Sequence, residues 1–227
     1  MEIIARIQSD FTEKFGIPRQ SGLVDSVQAA VVFEPEYRKP EALRGIESYS
    51  HLWLLWEFSA NKQKKWFPTV RPPRLGGNTR MGVFATRSPF RPNAIGLSSV
   101  QLVRVNWNTP QGPVLIVSGA DLMNDTPIYD IKPYLSFTDS HPNASDGFAG
   151  EVKKYALEVY FPKPLLLRVP EDYRSPLCEL LAQDPRPSYQ QDPQRIYGMK
   201  YGKINLRFWV KGGVLTVCDV QGMEDRK

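Results

Sequence analysis

The 227-residue chain carries 29 Lys and Arg against 24 Asp and Glu, with 41% hydrophobic residues, 20 Pro and 16 Gly. That apolar content supports a buried core in one large domain or a large plus a small one, and the Pro and Gly content favours turns over long helices. Charges at Glu2, Arg6 and Asp10 break the N-terminal apolar run, and no stretch approaches the roughly 20 apolar residues of a membrane span, so the expectation is a soluble cytoplasmic chain without a signal peptide or membrane partner.

In chain order, short runs rich in β-branched and aromatic residues predict strands at 3–7, 28–33, 51–58, 80–85, 95–107, 114–118 and 128–131. Between the second and third, Pro40 to Gly45 predicts one helical turn stopped by Gly45. Leu52-Trp53-Leu54-Leu55-Trp56 lacks alternation, which predicts a strand covered on both faces. No long helix alternates with these strands, so a parallel sheet is disfavoured. The fold class is mainly β: an antiparallel six-stranded-type β-barrel, which also removes exposed sheet edges, followed by a small C-terminal α+β domain.

The polar, aperiodic segment 136–150 reads as a linker, which places a first domain at 1–140 and a second at 150–227. In the second, 155–161 predicts a strand. Ser175 and Pro176 predict the cap and first position of a helix over 175–183. Strands at 204–210 and 214–220 flank Lys211-Gly212-Gly213, a hairpin turn with glycines at positive φ.

Charge is unevenly distributed. Residues 58–120 contain no Asp or Glu but hold Lys62, Lys64, Lys65, Arg71, Arg74, Arg80, Arg87, Arg91 and Arg104. Such a window, interleaved with Pro, Gly and aromatic residues, suits a phosphate-rich polymer such as a nucleic acid; it also suits an ordinary solvated face. Glycine-rich nucleotide loops and a nucleophile elbow are absent. Two His and two Cys offer no zinc spacing, and Cys178 and Cys218 read as buried free thiols. Any chemistry is expected to run without a metal or a covalent enzyme intermediate.

Several turns combine proline with arginine. Arg87-Ser88-Pro89-Phe90-Arg91-Pro92-Asn93 is a stiffened loop whose guanidiniums lose little entropy on forking onto a carboxylate or phosphate, unless they pair with carboxylates of the protein. Pro18-Arg19-Gln20 has the same character. Asn124-Asp125-Thr126-Pro127 fits an Asx turn. Asp184-Pro185-Arg186-Pro187-Ser188-Tyr189 offers a phosphate clamp in Arg186 and a stacking ring in Tyr189, or else a helix stop packed on the domain interface.

Arg80 to Leu97, preceded by Arg71-Pro72-Pro73-Arg74-Leu75-Gly76-Gly77-Asn78, resembles the hallmark of the TrmO (TsaA-like) family of tRNA (adenine-N6)-methyltransferases. Pro18-Arg19-Gln20, Ser50-His51-Leu52-Trp53, Asp130-Ile131-Lys132-Pro133-Tyr134 and 184–189 are similar to its other motifs, in order along nearly the whole chain. The resemblance implies a barrel that binds S-adenosylmethionine, and methylation of N6 of threonylcarbamoyl-adenosine at position 37 in the anticodon loop of tRNA-Thr, by a homodimer. It places cofactor contacts at Pro18, Arg19, Gln20, Ser59, Ala60, Arg87, Leu97 and the turn Asn124, Asp125, Thr126 and Pro127. At that turn the chain has Asp125 where the family has glycine, and Asp adopts positive φ less readily.

Methyl transfer from a sulfonium is an in-line displacement that rests on positioning, with an acceptor for the N6 proton. Asp184 and then Asp130 are the candidate acceptors. Arg71, Arg74, Arg91 and Arg186, with Tyr189, are the candidate RNA contacts. The competing class is a basic β-barrel that binds RNA without chemistry, its small-molecule turns being structural.

Overall fold

The structure, a computed structural model, describes residues 1–61, 66–72, 75, 79–152, 156–187, 190 and 192–222. Six strands form one antiparallel sheet: β1 (Ala5–Gln8), β2 (Gln28–Phe33), β3 (His51–Glu57), β6 (Ile95–Asn106), β7 (Val114–Ser118) and β8 (Pro127–Pro133). Their order is β1-β2-β7-β6-β3-β8, and β8 pairs back onto β1 at Ala5–Ile128 and Arg6–Pro127, closing the sheet into a barrel. Two short strands, β4 (Thr69–Val70) and β5 (Met81–Gly82), form a separate ribbon.

Alternation fills the barrel. Ile7, Val31, Leu52, Leu54, Val100, Leu115, Val117 and Ile128 point inward and are almost wholly removed from water. In β3 the burial alternates residue by residue, so the expectation of cover on both faces holds only in part. The outward Trp53 is half-buried because it packs on Tyr134 with centroids 5.4 Å apart. Its indole N–H also donates to Asp139 of the one-turn helix α1 (Ser136–Asp139) at 2.8 Å.

The strand expected over 80–85 is cut short after Gly82. Val83–Ala85 turns into a 3-10 helix, because side chains there offer the backbone local partners. Thr86 Oγ1 donates to Val83 O, and Ser88 N and Phe90 N bond to the hydroxyls of Thr86 and Ser88.

One glycine is dictated by packing. Gly96 of β6 faces Trp56 of β3, and a methyl group added there would overlap the indole. Gly96→Ala is expected to cost about 1–3 kcal/mol through overpacking, read as a lowered midpoint of urea unfolding followed by Trp fluorescence; an unchanged midpoint would contradict this packing.

The second sheet has the order β10-β11-β12-β9, with β9 (Glu158–Tyr160) parallel to β12 (Val214–Gly222). The hairpin β11 (Ile204–Lys211) to β12 turns at Gly212 (φ 59) and Gly213 (φ 82), as its sequence predicts. Strand β10 (Tyr197–Tyr201) was not anticipated, although Tyr197, Met199 and Tyr201 alternate inward with Gly198 and Lys200 outward. A one-turn helix, α2 (Lys163–Leu166), precedes α3 (Glu171–Ala182). Helix α3 starts a turn earlier than expected: Pro170 takes the cap position, Glu171 and Asp172 complement the helix dipole, and Pro176 lies inside the helix. Ser175 Oγ donates to Glu179 rather than capping.

Cys218 is exposed, not buried. Arg207 pairs with Asp219 and Phe208 with Val217, so Cys218 is the extra residue of a β-bulge. The core of this second sheet is completed by Phe11, Val24 and Val27 from the chain between β1 and β2. Asp10 fastens that segment, accepting from Tyr173 Oη at 2.9 Å and from Gly202 N at 2.8 Å. The connection between β1 and β2 is therefore held by both sheets, and it carries Pro18, Arg19 and Gln20.

Candidate functional site

At the barrel end where β3 gives way to 58–61 and β6 begins lies a cavity of about 480 Å³, within the size range of small-molecule sites. Phe58, Ile95, Leu97 and Met123 supply apolar wall; Arg19, Gln20, Arg87 and Asp121 supply polar groups. A wider recess of about 1310 Å³ shares Pro18 to Gln20, Arg87 and Pro89 with it and runs out to Arg71 and Arg186.

Proline rigidity and long-range hydrogen bonds build the cavity. Gly22 N donates to Gly119 O at 2.9 Å, which fixes the 18–22 turn against the end of β7. Arg87 Nη1 donates to Gln20 Oε1, and Gln20 Nε2 to Arg19 O at 2.5 Å. Lys14 Nζ reaches Ala60 O at 2.7 Å, joining the same turn region to the end of β3.

The structure brings Pro18, Arg19, Gln20, Ser59, Ala60, Arg87, Leu97 and Thr126 together on this one cavity, although they span more than a hundred positions of sequence. Asn124 and Asp125 do not line it. They border a separate recess with Arg6 and Glu34, and Pro127 is buried in β8. Asp125 does adopt the left-handed conformation that the family glycine would supply, at φ 65. Its N–H donates to Ile7 O at 2.8 Å, and Arg6 Nη1 donates to its carbonyl at 3.2 Å. Because those bonds hold the turn, Asp125→Gly is expected to leave stability within about 1 kcal/mol, relief of the αL cost offsetting the entropy of glycine. The β-branched Asp125→Val is expected to lose roughly 2 kcal/mol, and thermal unfolding compares the two.

Four expectations are corrected. Asp184 and Arg186 form a buried bidentate ion pair, Nε–Oδ1 2.8 Å and Nη2–Oδ2 2.9 Å, each residue 8% exposed. Both carboxylate oxygens are engaged in the wider recess, so Asp184 is not placed to take a proton, and Arg186 is not a surface phosphate clamp. Arg186 acts on the site through its carbonyl, which accepts from Arg19 Nη2 at 3.1 Å. Asp130 lies outside the cavity lining on β8, salt-bridged to Lys132 at 2.8 Å. Arg91 lines the cavity but spends Nη1 on Thr86 O (2.6 Å) and Val83 O (3.1 Å), bracing its own loop. Arg71 is exposed on the rim of the wider recess, while Arg74 and Tyr189 lie outside the described residues. So do Lys62, Lys64 and Lys65.

Sequence reading missed two carboxyls. The acid-free window is bounded by Glu57 and Asp121, and both line the cavity. Glu57 Oε2 accepts from Tyr129 Oη at 2.5 Å, a bond that, with burial, pushes the phenol up to about 12. Asp121 accepts from Ser98 Oγ at 2.5 Å, and Ser98 Oγ accepts from Trp56 Nε1 at 2.9 Å. Burial raises the Asp121 carboxyl above the usual carboxylate range, against the opposing pulls of the Ser98 hydroxyl and the Arg87 charge. The signal available in sequence was the edge of the acid-free window. Among the described residues no cluster of three or more His, Cys, Asp or Glu could hold a metal, and no helix is long and apolar enough to cross a membrane.

A closed antiparallel barrel with an apolar, arginine-rimmed cavity at one end defines a small-molecule-binding barrel rather than a doubly wound nucleotide fold. Residues 6–140 match the tRNA-methyltransferase O N-terminal domain, and residues 163–223 match the TrmO C-terminal domain. The chain belongs to the TrmO family. It is 42% identical over 217 residues to the tRNA (adenine(37)-N6)-methyltransferase of Escherichia coli K12, covering 92% of each chain. It is 44% identical over 178 residues to the protein of the same name from Eikenella corrodens, covering 78% of this chain and 99% of that one. A crystal structure of TrmO from Pseudomonas aeruginosa superposes with a TM-score of 0.76 at 31% identity, covering 97% of each chain.

Proposed function

We propose that this protein is an S-adenosylmethionine-dependent methyltransferase acting on N6 of adenosine 37 in tRNA. The observation that carries the reading is the convergence of Arg19, Arg87 and Thr126 on one cavity in a chain of this family. The residues present suit the donor. The cavity volume is that of a nucleoside-sized ligand, Phe58, Leu97 and Met123 offer apolar surface to a ring, and Arg87 offers a guanidinium to the methionyl carboxylate. Bound there, S-adenosylmethionine supplies a methyl group already activated on a sulfonium. The chain contributes orientation and exclusion of water: the Arg87–Gln20 bond fixes the anion-binding end, and the apolar wall covers the rest.

In finer detail, the acceptor is threonylcarbamoyl-adenosine in the anticodon loop of tRNA-Thr, and the enzyme works as a cytoplasmic homodimer. Residues 1–140 bind the donor, and residues 150–227 face the tRNA. An unpaired loop base can be splayed toward the cavity at low cost, and the exposed Arg71 on the recess rim is placed for backbone phosphate. Mass analysis of tRNA nucleosides tests this. A strain lacking the protein should lose the methyl group from threonylcarbamoyl-adenosine of tRNA-Thr and regain it on complementation; an unchanged nucleoside profile would contradict the reading.

A further inference from the structure

We infer that the Asp121 carboxylate receives the α-ammonium of the methyl donor, so that Asp121 and Arg87 together read the amino-acid end of that molecule as a zwitterion. The inference rests on the donor reading above and adds a residue to it.

Asp121 lines the same cavity as Arg87 and Gln20. Its position is built from three directions. Gly119, at φ 75, donates to Val27 O and accepts from Gly22 N, which sets the end of β7 beside the 18–22 turn. From below, Trp56 Nε1 holds Ser98 Oγ, and Ser98 holds Asp121 Oδ1. Gly96 lacks the side chain that would displace Trp56. From the side, the backbone of Ser21 hydrogen-bonds to the carboxyl, and the Arg87 charge faces it.

Burying the charged form of this carboxyl costs the protein stability, as its raised proton affinity also indicates. Arg87 is exposed and already donates to Gln20, so it compensates the carboxylate only in part. An ammonium group would complete it. The α-carboxylate and α-ammonium of an amino acid share one carbon, and a guanidinium beside a carboxylate in one cavity matches that pair of charges. The sulfonium fits Asp121 less well, because it lies beyond the β and γ carbons of the methionyl chain, whereas the ammonium sits on the carbon whose carboxylate Arg87 holds.

Isothermal titration with S-adenosylhomocysteine and with its analogue lacking the α-amino group decides the matter. The unmutated protein should bind the complete ligand about 20-fold more tightly than the analogue, the size expected of a hydrogen bond to a charged group. Asp121→Asn, which removes the buried charge and keeps the shape, should bind the two ligands within about 3-fold of each other, without lowering the melting temperature. Equal weakening of both ligands by Asp121→Asn would overturn the inference, as would a loss of turnover with both affinities unchanged. Should the variant fail to fold, equal affinity of the unmutated protein for the two ligands would overturn it alone. Absence of S-adenosylhomocysteine binding by the unmutated protein would instead overturn the donor reading on which the inference stands.

Discussion

Arg87→Ala is expected to weaken S-adenosylhomocysteine binding by about 10–100-fold, the equivalent of one hydrogen bond to a charged group, while thermal unfolding falls only slightly, through the lost Gln20 bond and the lost partial compensation of Asp121. The separation of the two effects follows from where the residue sits. Arg87 is exposed on the loop between the 3-10 turn and β6, and its Nη1 donates to Gln20 Oε1. No core contact is lost with it. A lysine at the same place keeps the charge but not the fork, so Arg87→Lys should recover only part of the affinity. Calorimetric titration of both variants checks this, and an alanine variant with unaltered affinity would remove Arg87 from the site.

Asp184→Ala should destabilise the protein by about 3–5 kcal/mol, because it leaves the Arg186 guanidinium buried without its carboxylate. Each of the two residues is 8% exposed, and the pairing is bidentate. Asp184 also holds positive φ (51), stabilised by Arg186 N donating back to Oδ1 at 3.3 Å. Donor affinity should fall as well in whatever fraction remains folded, since the loop carbonyl that anchors Arg19 belongs to Arg186. Urea unfolding measures the first effect and titration the second. A loss under about 1 kcal/mol would mean the pair behaves as a solvated surface bridge. Reduced tRNA affinity with a shallower salt dependence in Arg186→Ala, and no change in stability, would restore the phosphate-clamp reading of that arginine.

These two residues illustrate what the sequence discloses. Proline close to an arginine announces a stiffened loop, and that local inference applies to Arg87, two residues before Pro89, and to Arg186, between Pro185 and Pro187. Whether the guanidinium faces solvent or a buried carboxylate depends on packing between segments remote in sequence. Arg186 sits two residues from its partner, yet nothing in the spacing says that the pair lies in a recess bounded by the 14–20 segment and α3. Strands β2 and β7 were legible to the residue because a short run rich in β-branched residues between turn residues is a local property. Strand β10 was hidden by Gly198, and the start of α3 by a second proline inside the helix.

The cavity-lining turns were visible, apart from Asn124, Asp125 and Pro127, which do not line it. At that turn the motif's side chains diverge, Thr126 facing the cavity and Asp125 facing Arg6. Asp121 escaped notice for the opposite reason: it belongs to no motif, and its setting among Ser98, Trp56 and Arg87 exists only once β3, β6 and β7 have been brought side by side.

The account's central claim is that one barrel-end cavity holds the methyl donor. A crystal structure of the protein with S-adenosylhomocysteine tests it most directly. Ligand density lying between Arg87, Leu97 and Thr126, with the amino-acid end toward Arg87, is the predicted result. Density in the recess beside Arg6, Glu34 and Asp125, or at any other surface, would contradict it.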